Sequence, residues 1–135
     1  MAHISVKKYQ QTTVSAAKEA NPYQLVAMLF QKLLGNIASA RGAIQQGDHA
    51  KKGDLISKAI TIIGVLQGSL DFEQGGDISR NLSDLYIFCS DKLVEANTNN
   101  DEALLDEIIQ ILLPIKAGWD SIPKEEQDKV SFESA

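Results

Sequence analysis

The chain has 135 residues, 44% of them hydrophobic, which suits one packed domain and is too apolar for a disordered chain. Its 13 Lys+Arg against 18 Asp+Glu leave a net charge of −5, a poor counterion for phosphate, so nucleic-acid binding is not expected. Cys89, the single cysteine, excludes an internal disulfide and a cysteine-based zinc site. No apolar run approaches the ~20 residues that span a bilayer, and residues 1–20 lack the apolar core of a secretory signal, so a cytoplasmic protein without membrane insertion is expected.

Residues 1–20 read as an N-terminal arm. Thr12, Thr13 and Ser15 weaken helix propensity, and Ile4, Val6, Tyr9 and Val14 are its large apolar residues. Docking Val6 and Tyr9 on a folded body gains ~1.5–3 kcal/mol each. Fixing the backbone costs ~1–2 kcal/mol per residue, so a partner could displace the arm.

From Asn21 onward the apolar period is helical. Asn21-Pro22 supplies a cap and a first-turn proline for a first helix with the seam Val26, Phe30, Leu33, Ile37, Ala40, Ile44, ended by Gly47. A second helix begins between Asp48 and Asp54, with the seam Ile56, Ala59, Ile63, Leu66, Leu70. Gly75-Gly76 closes the next connection. A third helix, capped by Asp77, has the seam Ile78, Leu82, Leu85, Cys89, Leu93, Ala96. A fourth follows an Asn100 cap, with the seam Leu105, Ile108, Leu112, Ile115, Trp119, Ile122, and stops at Pro123.

Matched lengths and short connections predict an all-α, antiparallel up-down-up-down four-helix bundle over residues 21–123. A flexible arm precedes it and a polar tail, residues 124–135, follows. Pro114, inside the fourth helix, cannot donate to the Gln110 carbonyl and predicts a kink there.

Catalytic constellations are missing from this pattern. The histidines, His3 and His49, belong to no carboxylate-x-x-His pair, which counts against a di-iron bundle. No phosphate loop follows a strand, and no serine, aspartate or lysine sits in a nucleophile setting. No enzymatic activity, metal or other cofactor is expected. A helical signalling or phosphotransfer bundle remains an alternative, with His49 as the group to test.

Apolar residues beyond the seams suggest a binding surface instead. The first helix adds Leu25, Met28, Leu29 and Leu34, the second Ile60 and Ile62, the fourth Leu104, Ile109, Ile111 and Leu113. A wide core stripe explains most of this excess; a groove filled by a helical partner is the functional alternative. Gly35, Ala38 and Gly42 share one flank of the first helix, and Gly64 and Gly68 one face of the second. Close helix–helix approach is the plainer explanation, a shallow trough for a client backbone the sharper one. Asn81 and Tyr86 read as contact or bracing residues; Leu82 and Leu85 read as seam.

Asn21-Pro22-x-x-Leu25-Val26-x-Met28-Leu29-Phe30 resembles the first-helix signature of the FliS family of flagellar secretion chaperones, Ala-Ser-Pro-x-x-Leu-Val-x-Met-Leu-Tyr-Asp-Gly. The resemblance continues through Lys58-Ala59-x-x-Ile62-Ile63, Ser69-Leu70-Asp71, Gly75-Gly76-x-Ile78-x-x-Asn81-Leu82-x-x-Leu85-Tyr86, Leu93-x-x-Ala96-Asn97, and Leu112-Leu113 leading to Trp119. It covers about residues 5–122. Gln31-Lys32 departs from the Asp-Gly of the signature.

This resemblance implies a cytoplasmic bundle that binds the disordered C-terminal region of flagellin, blocks premature polymerisation and assists delivery to the flagellar type III export gate. It also implies an apolar-x-x-Tyr contact in the arm, which maps onto Val6 and Tyr9. The client- and partner-binding residues expected are therefore Val6, Tyr9, Leu25, Met28, Asn81 and Tyr86. The same groove could serve another secreted client. Both a monomer and a homodimer are compatible with the pattern.

Overall fold

A computed structural model describes residues 21–129. Helix α1 spans Pro22–Gln45, α2 His49–Gly68, α3 Phe72–Asn99 and α4 Glu102–Asp120; a single turn, α5, covers Lys124–Gln127. Short connections turn each helix antiparallel to the one before it. Both α1 and α3 pack against α2 and α4, so the four close into an up-down-up-down ring. The arm, with Val6 and Tyr9, lies outside the described residues.

Local chemistry sets the helix boundaries. Asn21 Oδ1 accepts from the Gln24 amide at 2.9 Å, while Gln24 Oε1 accepts from the Asn21 amide at 3.1 Å, a reciprocal cap ahead of Pro22. Gly47, at φ 71°, reverses the chain after α1, where the left-handed conformation favours glycine. Asp48 then caps α2 by accepting from the Lys51 amide at 3.1 Å.

Two boundaries differ from expectation. Asp101, not Asn100, caps α4, accepting from the Leu104 amide at 3.0 Å. Asn100 instead ends α3 in the left-handed conformation, at φ 50°. From there its Oδ1 accepts from buried Lys52 Nζ at 2.5 Å, while the Asn97 carbonyl accepts from the same ammonium at 2.8 Å. A cation thus sits where the α3 dipole is negative. At its other end, α3 begins six residues early, capped by Asp71 rather than Asp77. Asp71 caps Glu73 and Gln74, and the helical path breaks at Gly76 (φ 52°, ψ −123°) before resuming.

The core is one continuous cluster. Phe30, Leu33 and Ile37 of α1 meet Ile56 and Ile63 of α2, Cys89 and Leu93 of α3, and Leu105, Ile108 and Leu112 of α4, all essentially unexposed. The seams of α1, α2 and α4 lie inward as the spacing requires. A Tyr23–Trp119 clamp joins α1 to α4: the rings stack at 5.6 Å, Trp119 Nε1 donates to the Tyr23 carbonyl at 3.0 Å, and Tyr23 donates to the Asp120 carbonyl at 3.2 Å. Helix α4 runs unbroken through exposed Pro114, whose missing donor falls on the solvent side.

The third seam is rotated. Ser79, Tyr86, Cys89, Leu93 and Ala96 face the core, whereas Ile78 and Leu85 are 71% and 37% exposed. Two interactions set this phase. The Tyr86 ring fills a core slot 6.5 Å from the Phe30 ring, and the Ser79 hydroxyl donates to the Asp71 carbonyl at 2.9 Å. Gly75 permits the second, since a Cβ there would stand 1.9 Å from Ser79 Oγ.

Candidate partner-binding surface

Most of the apolar surplus on α1, α2 and α4 belongs to a broad core stripe. Leu29 and Ile62 are buried, and Leu25, Leu34, Ile60, Leu104, Ile109 and Ile111 are half-buried. Met28 and Leu113 remain exposed. Exposed apolar surface concentrates on α3, where the sequence showed no excess. Among the described residues, six of the nine exposed large hydrophobic side chains lie there: Phe72, Ile78, Leu85, Ile87, Phe88 and Val94. These side chains stand among exposed polar residues such as Arg80, Asp84, Asp91 and Glu95, so the apolar exposure of α3 is confined to part of its surface.

Spacing organises this surface. Ile78, Asn81, Leu85 and Phe88 follow one another at steps of 3, 4 and 3, so they form a second stripe beside the buried one. Ser83 bonds Gln67 and Asn97 bonds Lys52, which identifies the α2 flank of α3. The exposed stripe lies on the opposite flank, toward α4. On α4, Asp106 pairs with Arg41 of α1, so half-buried Ile111 and Ile115 face the α3 side. Apolar side chains thus line the α3–α4 side of the bundle. Lys92 lies 5.5 Å over the Phe88 ring and pairs with Glu95 at 3.3 Å, giving this surface a charged edge.

The expected site residues do not form one constellation. Met28 is exposed and Leu25 half-buried on α1, diagonal to α3 across the ring. Asn81 is exposed within the α3 stripe. Tyr86 is 3% exposed, a core residue rather than a surface contact. Its hydroxyl has no hydrogen-bond partner among the described residues. Burial, with Cys89 nearby, pushes its pKa up from 10.0 to about 12, so it stays protonated.

The glycine stripes are not close-approach points. Among the described residues, a Cβ at Gly35, Gly42, Gly64 or Gly68 would meet nothing within 4 Å, so none of α1–α4 requires these residues to be glycine. His49 is the exposed first residue of α2.

At the bundle end where α1 begins, helix ends and the α2–α3 connection line an open cavity of about 700 Å³. Val26, Phe30, Leu66, Leu82, Ile115 and Trp119 supply apolar lining. Ser69, Asp71, Gln74, Ser79 and Lys129 add polar groups, and Tyr86 reaches it from α3. Sequence periodicity contained no signal for this cavity, because it depends on how four helix ends splay. Among the described residues no helix is long and apolar enough to cross a membrane.

Comparison with known proteins agrees with this architecture. The family described as flagellar protein FliS matches residues 5–126. The chain is 47% identical over 119 residues to the flagellar secretion chaperone FliSB of Pseudomonas aeruginosa, covering 87% of this chain and 94% of that protein. It is 39% identical over 132 residues to the flagellar secretion chaperone FliS of Salmonella typhimurium, covering 96% and 95%. It is 38% identical over 122 residues to that of Vibrio cholerae, covering 90% of each. A four-helix bundle with continuous similarity along nearly its whole length, this chain belongs to the FliS family of flagellar secretion chaperones, a non-enzymatic family.

Proposed function

We propose that this chaperone binds the C-terminal segment of flagellin in the bacterial cytoplasm, keeps it from polymerising, and assists its delivery to the flagellar export gate. The observation that carries this reading is the apolar stripe Ile78–Leu85–Phe88, left uncovered on α3 of a FliS-family chain. The client enters as a disordered amphipathic segment and forms helix against this stripe.

Energetics favour an extended site. Ordering a disordered segment costs ~1–2 kcal/mol per residue in backbone entropy, and coupled folding typically buries ~1,000–3,000 Å². One stripe is too small for that, so the segment wraps over several faces. Exposed Met28 on α1, Val65 on α2 and Leu113 on α4 extend the apolar path, with Leu25 and Asn81 beside it. Val6 and Tyr9 of the arm complete the contact set. Binding needs no turnover, and no cofactor is assigned.

The test is calorimetric titration with the C-terminal segment of the source organism's flagellin, paired with circular dichroism. One-to-one binding with a gain of helix is expected, and loss of affinity in Leu85→Asp. Sedimentation of the free protein is measured alongside. A matched segment that does not bind overturns the proposal.

A further inference from the structure

The open cavity at the α1 end of the bundle has an apolar wall and a charged rim. Val26, Phe30, Leu66, Leu82, Ile115 and Trp119 make up the wall. The charged groups of the rim are already engaged. Asp71 Oδ1 accepts from the Glu73 and Gln74 amides at 3.0 Å each, and Lys129 Nζ pairs with Glu126 at 3.3 Å. An apolar wall open to solvent suits a segment that alternates, with apolar side chains toward the wall and polar ones toward water.

The residues after Lys129 have that pattern and are delivered to that place. Lys129 itself lines the cavity. The turn before it is tied to the bundle: Asn21 Nδ2 donates to Asp128 Oδ1 at 3.3 Å, and Gln127 Nε2 donates to the Ile122 carbonyl at 2.9 Å. Val130-Ser131-Phe132-Glu133 follows. In an extended run Val130 and Phe132 share one face, and Ser131 and Glu133 share the other. At ~3.3–3.6 Å per residue, Phe132 can stand anywhere within about 10 Å of Lys129, which is within reach of a wall that Lys129 borders. Glu133, on the opposite face, keeps its hydration.

The arm is the costlier occupant. It joins the bundle at Asn21, which does not line the cavity, and Val14, its nearest large apolar residue, lies seven residues away. The entropic cost of docking grows with each residue fixed, so seating Phe132 fixes three residues where seating Val14 fixes seven.

We propose that residues 130–135 fold back into this cavity, with Phe132 seated against Phe30 and Trp119 and Val130 beside it, so that the chain covers its own apolar bundle end. The cavity is a docking site for an extended apolar-x-aromatic segment, and its resident ligand is intramolecular. Such docking does not depend on which client the chaperone binds.

Trp119 is the only tryptophan and lines the cavity, so its fluorescence reports the occupant. Acrylamide quenching, excited where tyrosine does not absorb, is measured without client on the full-length chain and on Phe132→Ser, Ser131→Ala and Tyr9→Ser. Phe132→Ser should lose protection of Trp119 and shift its emission to longer wavelength, with helix content by circular dichroism unchanged. Ser131→Ala, on the opposite face, and Tyr9→Ser, in the arm, should match wild type.

Wild-type quenching in Phe132→Ser overturns the proposal. Loss of protection in Tyr9→Ser but not in Phe132→Ser also overturns it and makes the arm the occupant. Proton cross-relaxation between the Phe132 ring and the Trp119 indole is the direct measurement. It is expected in the full-length wild-type chain, and its absence overturns the proposal even where Phe132→Ser alters quenching or helix content.

Discussion

Leu85 and Leu93 stand two turns apart on α3, and helical periodicity alone puts both on one seam. The structure leaves Leu85 37% exposed and buries Leu93 completely. Truncating a leucine to alanine removes apolar atoms whose full burial amounts to about 2–2.5 kcal/mol, at ~0.8 kcal/mol per methylene equivalent. At Leu93 that transfer loss is complete, and a cavity is left between four helices that cannot collapse. Leu93→Ala should cost about 3–5 kcal/mol. At Leu85 the loss scales with the buried share, and solvent fills the gap, so Leu85→Ala should cost only about 1–1.5 kcal/mol. In a chain of this size these figures correspond to roughly 10–15 °C and 3–6 °C in melting temperature. Thermal melts by circular dichroism read the difference directly. Binding should rank the other way among folded variants, with Leu85→Ala weakening the flagellin segment about tenfold. Equal destabilisation by the two substitutions would refute the rotated phase of α3, and with it the exposed stripe.

Other expectations follow from single side chains. Gly64→Ala should raise stability by up to ~1 kcal/mol, since its Cβ meets open space in a helix interior. Gly75→Ala should lower stability, because the new Cβ displaces Ser79 Oγ; paired urea titrations check both signs. Asn36 is 5% exposed with Nδ2 unbonded among the described residues, so Asn36→Leu should stabilise by about 1–2 kcal/mol in the same assay. Burial raises the Cys89 thiol from 9.0 to about 11 and the Tyr86 phenol from 10.0 to about 12. Both groups are neutral in the fold, so their contribution is complete below pH 9 and is lost as pH rises through about 11 and 12. Each is worth about 2–3 kcal/mol. Unfolding measured from pH 7 to 11 should show a plateau and then a fall, and Cys89→Ala should blunt its onset.

Legibility differed between the ends and the middle of the helices. Asn21-Pro22, Gly47 and Asp48 were readable because a cap is a local bond between neighbours in sequence. The Asn100–Asp101 boundary was misplaced by one residue because both side chains are cap formers. Asn100 takes the left-handed conformation that ends α3, and Lys52, from another helix, donates to it there. Leu25, Met28 and Asn81 could be nominated from pattern and resemblance. Tyr86 was nominated as a contact or bracing residue and lies in the core, because a tyrosine is large and apolar with one polar tip. The glycine stripes suggested tight packing that the helix positions do not produce.

Composition and periodicity by themselves determined that four amphipathic helices form, where they start and stop to within a turn except at the start of α3, and that three of their seams face inward. Those are consequences of backbone hydrogen bonding and of burying one stripe per helix, and both are encoded within a few residues. Tertiary structure alone decided the phase of α3, the exposure of Ile78, Leu85 and Phe88, and the cavity at the α1 end of the bundle. These depend on residues distant in the chain: Phe30 against Tyr86, Trp119 against Tyr23, and Asp71 holding Ser79 across the break at Gly76. Two stripes one residue apart are nearly equivalent on a helical wheel; the volume each offers to the other three helices is not, and that difference selects the buried one.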